Sequence, residues 1–223
     1  GKSARRGPSA RDLFGRQGTS GINFSQYDAI PVSRSGPDTK SIPSLDSFVR
    51  LQSVLPPFLH SNLTDKGRMN YDVPTPIQKH CVPLALDGTY DVMACAQTGS
   101  GKTVAFLVPL IAAIVLNPTT AAKHSKDSRS SQEQRFQTPA QPAALIVAPT
   151  RELALQIELE AQKLTFASSL RCVCVYGGAP TRGQLELLAY GVDILVATPG
   201  RLTDFLNREL ITLSKVRFLV MDE

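Results

Sequence analysis

The chain has 223 residues, 42% of them hydrophobic, a formal net charge of +5 and a pI near 9.1. That length suits one large domain or two small ones around a buried core. No apolar run reaches the roughly 18 residues of a membrane-spanning helix, and the basic start GKSARRGPSA lacks the apolar segment of a secretory signal. The basic surplus suits a partner with a phosphate backbone but does not establish one.

Residues 1–45 are rich in Gly, Ser, Pro, Arg and Asp without a sustained period. They read as a flexible or extended arm. Within it, GINFSQYDAIPV (21–32) carries spaced apolar anchors suited to docking in extended form. From residue 46 short apolar runs alternate with amphipathic stretches. The runs are Asp91–Ala96, Ala143–Pro149, Arg171–Gly177, Asp193–Pro199 and Arg217–Glu223. Short continuous apolar runs fit strands covered on both faces. Helices are expected between them over Gly101–Leu116, Arg151–Leu164, Arg182–Leu188 and Gly200–Asn207. The alternation predicts one α/β domain over 46–223, with a mainly parallel sheet and helices on both faces. Ligands of such a sheet sit at the carboxyl ends of its strands. Asn117–Gln141 is polar and aperiodic and reads as a surface loop inside that domain.

Four cysteines, Cys81, Cys95, Cys172 and Cys174, form no C-x-x-C pair, and the histidines His60, His80 and His124 supply no ligand set beside them. A zinc site is not expected. Cys172 and Cys174 lie in an apolar run and read as small buried hydrophobes.

The most informative stretch is Ala96-Gln97-Thr98-Gly99-Ser100-Gly101-Lys102-Thr103, placed between an expected strand and an expected helix. A P-loop needs that context. The glycines let the backbone curl so that several N–H groups converge on phosphate oxygens, and the helix N-terminus adds a favourable dipole. Lys102 is the charge for the β- and γ-phosphates, and the Thr103 hydroxyl is a magnesium ligand. The strict pattern has Gly where this chain has Ala96; a small residue still leaves room. The last run, Phe218-Leu219-Val220-Met221-Asp222-Glu223, is an apolar strand ending in two acids, as in a Walker B element. Asp222 would hold Mg²⁺, and Glu223 would orient or activate the attacking water.

AQTGSGKT, PTRELALQI, VYGG, ATPGRL and VMDE occur in this order and resemble motifs I, Ia, GG, Ib and the start of motif II of DEAD-box RNA helicases. Tyr71-Asp72-Val73-Pro74-Thr75-Pro76-Ile77-Gln78 looks like the Q motif, and the arm GINFSQYDAIPV is similar to the segment before the core in the Vasa/Belle branch. The resemblance covers roughly residues 20–223. It implies an ATP-dependent RNA-remodelling enzyme with a RecA-like P-loop domain, ATP or ADP and Mg²⁺ as cofactors, and sequence-independent binding to the RNA backbone. Gln78 would hydrogen-bond the adenine edge, which an amide can do as donor and acceptor. Tyr71 would stack on the base; Thr98, Gly99, Ser100, Gly101, Lys102 and Thr103 would hold the phosphates. Pro149, Thr150, Arg151 and Glu152 match motif Ia, Gly177 and Gly178 the GG motif, and Thr198, Pro199, Gly200 and Arg201 motif Ib. These would line an RNA groove and contact sugar and phosphate.

Two features depart from the family pattern. The stretch between Phe48 and Tyr71 is longer than in this branch, so the upstream aromatic of the Q motif is Phe48 or Phe58. The sequence stops at Asp222-Glu223, inside motif II, without the second RecA-like domain that the resemblance implies as partner. On that reading these residues alone bind adenine nucleotide with little turnover. The resemblance further implies a monomer without membrane contact. Translation or messenger-ribonucleoprotein factors would bind the arm, and residence would be cytoplasmic, with nuclear shuttling as an alternative. A non-catalytic RNA- or partner-binding module is the competing class, and intact Lys102, Thr103, Asp222 and Glu223 argue against it. A GTPase would need Asn-Lys-x-Asp, which this sequence lacks.

Overall fold

The computed structural model describes residues 8–15, 31–117 and 138–222. The expected arm peptide 21–32 therefore lies outside the described residues except for its last two, as do 118–137 of the expected polar loop and Glu223. The chain divides into two compact units. One comprises the residues up to Ala113 with Lys163–Ala167; the other comprises Ile114–Gln162 and the residues from Ser168 onward.

The second unit holds the sheet. Strands β1 (Ala144–Val147), β2 (Cys172–Val175), β3 (Ile194–Ala197) and β4 (Phe218–Met221) are all parallel, in the order β2-β3-β1-β4. The register aligns Val147 with Ala197 and Met221, and Val175 with Ala197. Parallel neighbours need a crossover, and helices α5 (Arg151–Leu164), α6 (Thr181–Ala189) and α7 (Pro199–Asn207) supply it. The α5 sequence is amphipathic at helical period: Ala154, Ile157, Ala161 and Leu164 are all fully buried. Its start is capped by Thr150 Oγ1, which accepts from the Leu153 N–H at 3.3 Å. Helix α7 begins with Pro199 at its first position, where a missing N–H costs nothing. Leu145, Val173, Val175, Leu195, Leu202 and Phe205 form the core between sheet and helices. Burying one such side chain stabilises by about 1.5–3 kcal/mol. On the edge strand β2, Glu158 of α5 accepts the Cys174 N–H at 3.0 Å. Ala140, at the end of the expected polar loop, bridges to Ile211 in parallel.

The first unit is mostly helical. It contains α1 (Ala10–Phe14), 3-10 helices at Thr39–Ser41 and Phe48–Ser53, α2 (Pro57–Thr64), α3 (Pro76–Asp87) and α4 (Lys102–Leu116) up to Ala113. The stretch read as an extended arm thus contains a folded turn. Ser9 and Asp12 cap α1 reciprocally, and Phe14 sets its ring edge-on to Phe166, 5.6 Å between centroids. Helix α2 fills the long stretch between Phe48 and Tyr71. Its Asn62 is fully buried and donates to the Leu164 and Phe166 carbonyls at 2.8 and 2.7 Å. The expected strand over Asp91–Ala96 does not form: among the described residues this run joins no strand ladder, and Met93 is 93% exposed. Apolar composition suggests a strand, but only a ladder partner makes one. Among the described residues no helix is long and apolar enough to cross a membrane.

Candidate functional site

The residues assigned to nucleotide lie in the connection between α2 and α3, on α3, on the glycine-rich loop and at the start of α4. Gln78 sits in the first turn of α3 and is 4% exposed. Its Oε1 accepts the Thr75 N–H at 2.9 Å, and its Nε2 donates to the Gly101 carbonyl at 3.0 Å. The side chain expected to read a base is thereby joined to the loop expected to hold phosphate. An amide has two acceptor sites and two N–H donors. Among the described residues one acceptor site and one N–H remain beyond these two bonds. Tyr71, 36% exposed, is positioned by its N–H, which donates to the Leu63 carbonyl at 2.8 Å. Of the two candidate upstream aromatics, Phe48 is fully buried and donates its N–H to the Asp72 carbonyl, whereas Phe58 is half-buried on α2.

The loop itself is curled as a phosphate cradle would be. Gly99 and Gly101 have φ of +77° and +92°, conformations that glycine adopts freely. Space also demands glycine at 101: a Cβ there would stand 2.4 Å from Gln78 Nε2. Lys102 Nζ donates to the Ala96 carbonyl at 2.7 Å, across the mouth of the loop. Among the described residues the buried Ser100 hydroxyl has no hydrogen-bond partner. A buried hydroxyl without a partner at a helix N-terminus fits a group rich in acceptor oxygens. Thr98 is exposed and Thr103 half-buried. The donor set therefore suits a polyphosphate.

The residues assigned to RNA all leave the carboxyl edge of the four-stranded sheet. Pro149 and Thr150 follow β1, Gly177 and Gly178 follow β2, and Thr198 follows β3. The ladder extends to this edge, where Thr198 donates its N–H to Val175 and Ala148 to Ala197, both at 3.0 Å. Pro149, Thr150, Arg151, Glu152, Gly177, Gly178, Pro199 and Gly200 are exposed. The Arg151 guanidinium lies over the Tyr176 ring, 4.7 Å from its centroid. Arg201 differs: its side chain is only 11% exposed, and Nη2 donates to the Ala179 carbonyl at 3.1 Å. It braces the glycine loop from within. Asp222 follows β4, buried, with its N–H donated to the Val147 carbonyl at 3.0 Å.

Three polar residues at structural junctions were not singled out in the sequence. Gln184 and Glu158 each satisfy backbone groups of β2 or its exit, and Asn62 holds the end of α5. One signal was available: Gln184 shares the buried face of α6 with Leu188, four residues on. Burial raises the Glu158 carboxyl above the usual range despite the Cys174 N–H. It also pushes the Cys174 thiol up to about 12 and Cys172 well above the ordinary thiol range.

A Gly-Lys-Thr loop that opens a helix, and a parallel α/β sheet whose carboxyl edge bears glycine- and proline-marked loops, define a P-loop protein of RecA-like fold. The DEAD/DEAH box helicase profile matches residues 75–223. The chain is 44% identical over 200 residues to DEAD-box ATP-dependent RNA helicase 52A of Oryza sativa subsp. japonica, covering 90% of this chain and 31% of that protein. It is 42% identical over 214 residues to a probable vasa-like ATP-dependent RNA helicase of Penaeus vannamei, covering 95% of this chain and 28% of that protein. Among solved structures, the yeast DEAD-box splicing factor Prp28 superposes with a TM-score of 0.65 at 32% identity, over 81% of this chain and 39% of that one. Prp28 from Chaetomium thermophilum, bound to ADP, gives 0.60 at 35% identity, over 87% and 40%. The chain belongs to the DEAD/DEAH box helicase family, and it spans about a third or less of the length of these curated relatives.

Proposed function

We propose that this chain is the ATP-binding part of an RNA helicase that hydrolyses ATP to unwind short RNA duplexes or remodel RNA–protein complexes. The observation that carries the proposal is the Gln78–Gly101 hydrogen bond, which joins a base-reading amide to a curled, glycine-requiring loop. On this reading Tyr71 and Gln78 hold adenine, and Thr98–Thr103 hold the phosphates, with the Lys102 ammonium exchanging Ala96 for a phosphate oxygen. By the family resemblance Thr103 and Asp222 would each serve as Mg²⁺ ligands, and Glu223 would orient water. Magnesium would neutralise charge on the transferring phosphoryl group. The exposed loops after β1, β2 and β3 bind the RNA backbone through N–H groups, hydroxyls and Arg151, which reads no sequence. Arg201 serves that groove from behind.

The 223 residues alone bind adenine nucleotide with little turnover, because efficient phosphoryl transfer in such enzymes draws on arginines supplied by a second domain. We place the protein, as a monomer, in cytoplasmic messenger-RNA work, with partner factors on the arm. That placement rests on the resemblance of residues 21–32 alone. RNA-stimulated phosphate release by the full-length protein tests the function. Wild type is expected to be RNA-dependent, and Lys102→Ala to lose that release. Equal release by both, or release indifferent to RNA, would overturn the proposal.

A further inference from the structure

The exit of β2 is held by two bonds from one side chain. Tyr176 donates its N–H to Gln184 Oε1 at 3.1 Å, and Gln184 Nε2 donates to the Tyr176 carbonyl at 3.0 Å. One side-chain amide thus satisfies both backbone groups of a single residue, much as a neighbouring strand would. Gln184 is 6% exposed, and both its oxygen and its nitrogen are engaged by Tyr176. Tyr176 immediately precedes Gly177-Gly178, and Gly178 takes a φ of +75°. A Cβ built at either glycine meets nothing within 4 Å, so the outer face of this turn is open. The far end of the turn is fixed by Arg201 on the Ala179 carbonyl. The Tyr176 ring carries the Arg151 guanidinium on its face.

We infer that Gln184 is a positioning residue for RNA binding: without touching RNA, it sets the Gly177-Gly178 backbone and, through the Tyr176 ring, the Arg151 guanidinium. This rests on the reading of the sheet-edge loops as an RNA groove. A side chain that both donates and accepts is required. Glutamate at 184 would keep the acceptor for the Tyr176 N–H but set a carboxylate against the Tyr176 carbonyl. Protonation would return a donor O–H to that carbonyl. Methionine, similar in volume, would lose both bonds.

The test measures affinity of the full-length protein for a fluorescently labelled single-stranded homopolymer RNA, for wild type, Gln184→Glu, Gln184→Met and Arg151→Ala, from neutral pH down into the carboxyl range. Thermal midpoints confirm folding, and each variant is read as a ratio to wild type at the same pH. Expected is a loss of about five- to thirtyfold for Gln184→Glu at neutral pH, shrinking as pH falls, and a pH-independent loss for Gln184→Met. The methionine variant decides alone if the glutamate variant does not fold. Arg151→Ala weakened with both Gln184 variants at wild-type affinity would overturn the inference and leave the groove standing. Wild type that binds no RNA, or Arg151→Ala that binds as wild type does, would overturn the groove reading and the inference with it.

Discussion

Alanine at position 101 gives the sharpest test of the link between base reader and cradle. Its Cβ would fall 2.4 Å from Gln78 Nε2, 3.1 Å from Gln78 Cδ and 3.1 Å from Thr75 Oγ1, on a backbone at φ +92°. The left-handed backbone alone costs an alanine about 1–2 kcal/mol. The clash also pushes the Gln78 amide off two partners, each bond worth about 1 kcal/mol. Gly101→Ala should therefore destabilise by about 2–4 kcal/mol. Gln78→Ala, which loses the same two bonds without strain, should cost about 1–3 kcal/mol. The double variant should cost no more than Gly101→Ala alone, because the side chain that clashes is gone. The assay is urea unfolding with hydrogen exchange of the α3 amides, so that the unit carrying this contact is read separately. A coupling energy above about 1 kcal/mol is expected. Additivity within about 0.5 kcal/mol would refute the claim that the glycine is required by Gln78.

Three further outcomes follow from buried polar groups. Burial raises the folded pKa of Glu158 above 4.5, so its stabilising contribution is present below that value and is lost as pH rises through the raised one. Glu158→Gln keeps an acceptor for the Cys174 N–H; unfolding titrations should show the variant gaining on wild type above pH 4.5, and parallel pH profiles would contradict this. Asn62→Ala leaves the buried Leu164 carbonyl and the part-buried Phe166 carbonyl without this donor and should cost about 1–3 kcal/mol in urea unfolding; a neutral result would show that those carbonyls find other donors. Under native conditions alkylation should reach exposed Cys95 first and Cys174, its thiol pushed up to about 12, only after unfolding. Equal labelling rates by mass spectrometry would rule that out.

The parts of this fold visible in the sequence are those where local pattern and tertiary role agree. Helix α5 shows its apolar stripe and its Thr150 cap, and its bounds come out as expected. Strands β1 and β3 read as continuous apolar runs because both faces are covered. Helix α2 was hidden by Pro56-Pro57, a pair that reads as a break; Pro57 instead occupies the first helical position, where proline is at home. The run Asp91–Ala96 has strand composition, but pairing is a long-range property that composition does not carry. Strand β4 is apolar throughout, yet Leu219 and Met221 are 59% and 79% exposed. In the candidate site, the glycine-rich loop was legible from its motif. The Gln78–Gly101 contact spans 23 residues and was not. Arg201 carried an RNA-binding assignment by resemblance, and only the structure places its guanidinium on the Ala179 carbonyl.

The most direct measurement is calorimetric titration of this 223-residue chain with ADP·Mg²⁺ and, in parallel, GDP·Mg²⁺, for wild type, Gln78→Ala and Lys102→Ala. The account predicts that ADP binds, that GDP does not, and that both substitutions abolish the ADP signal. Equal binding of ADP and GDP would leave a phosphate cradle without a base reader, and no binding of either would contradict the claim that these residues hold the nucleotide.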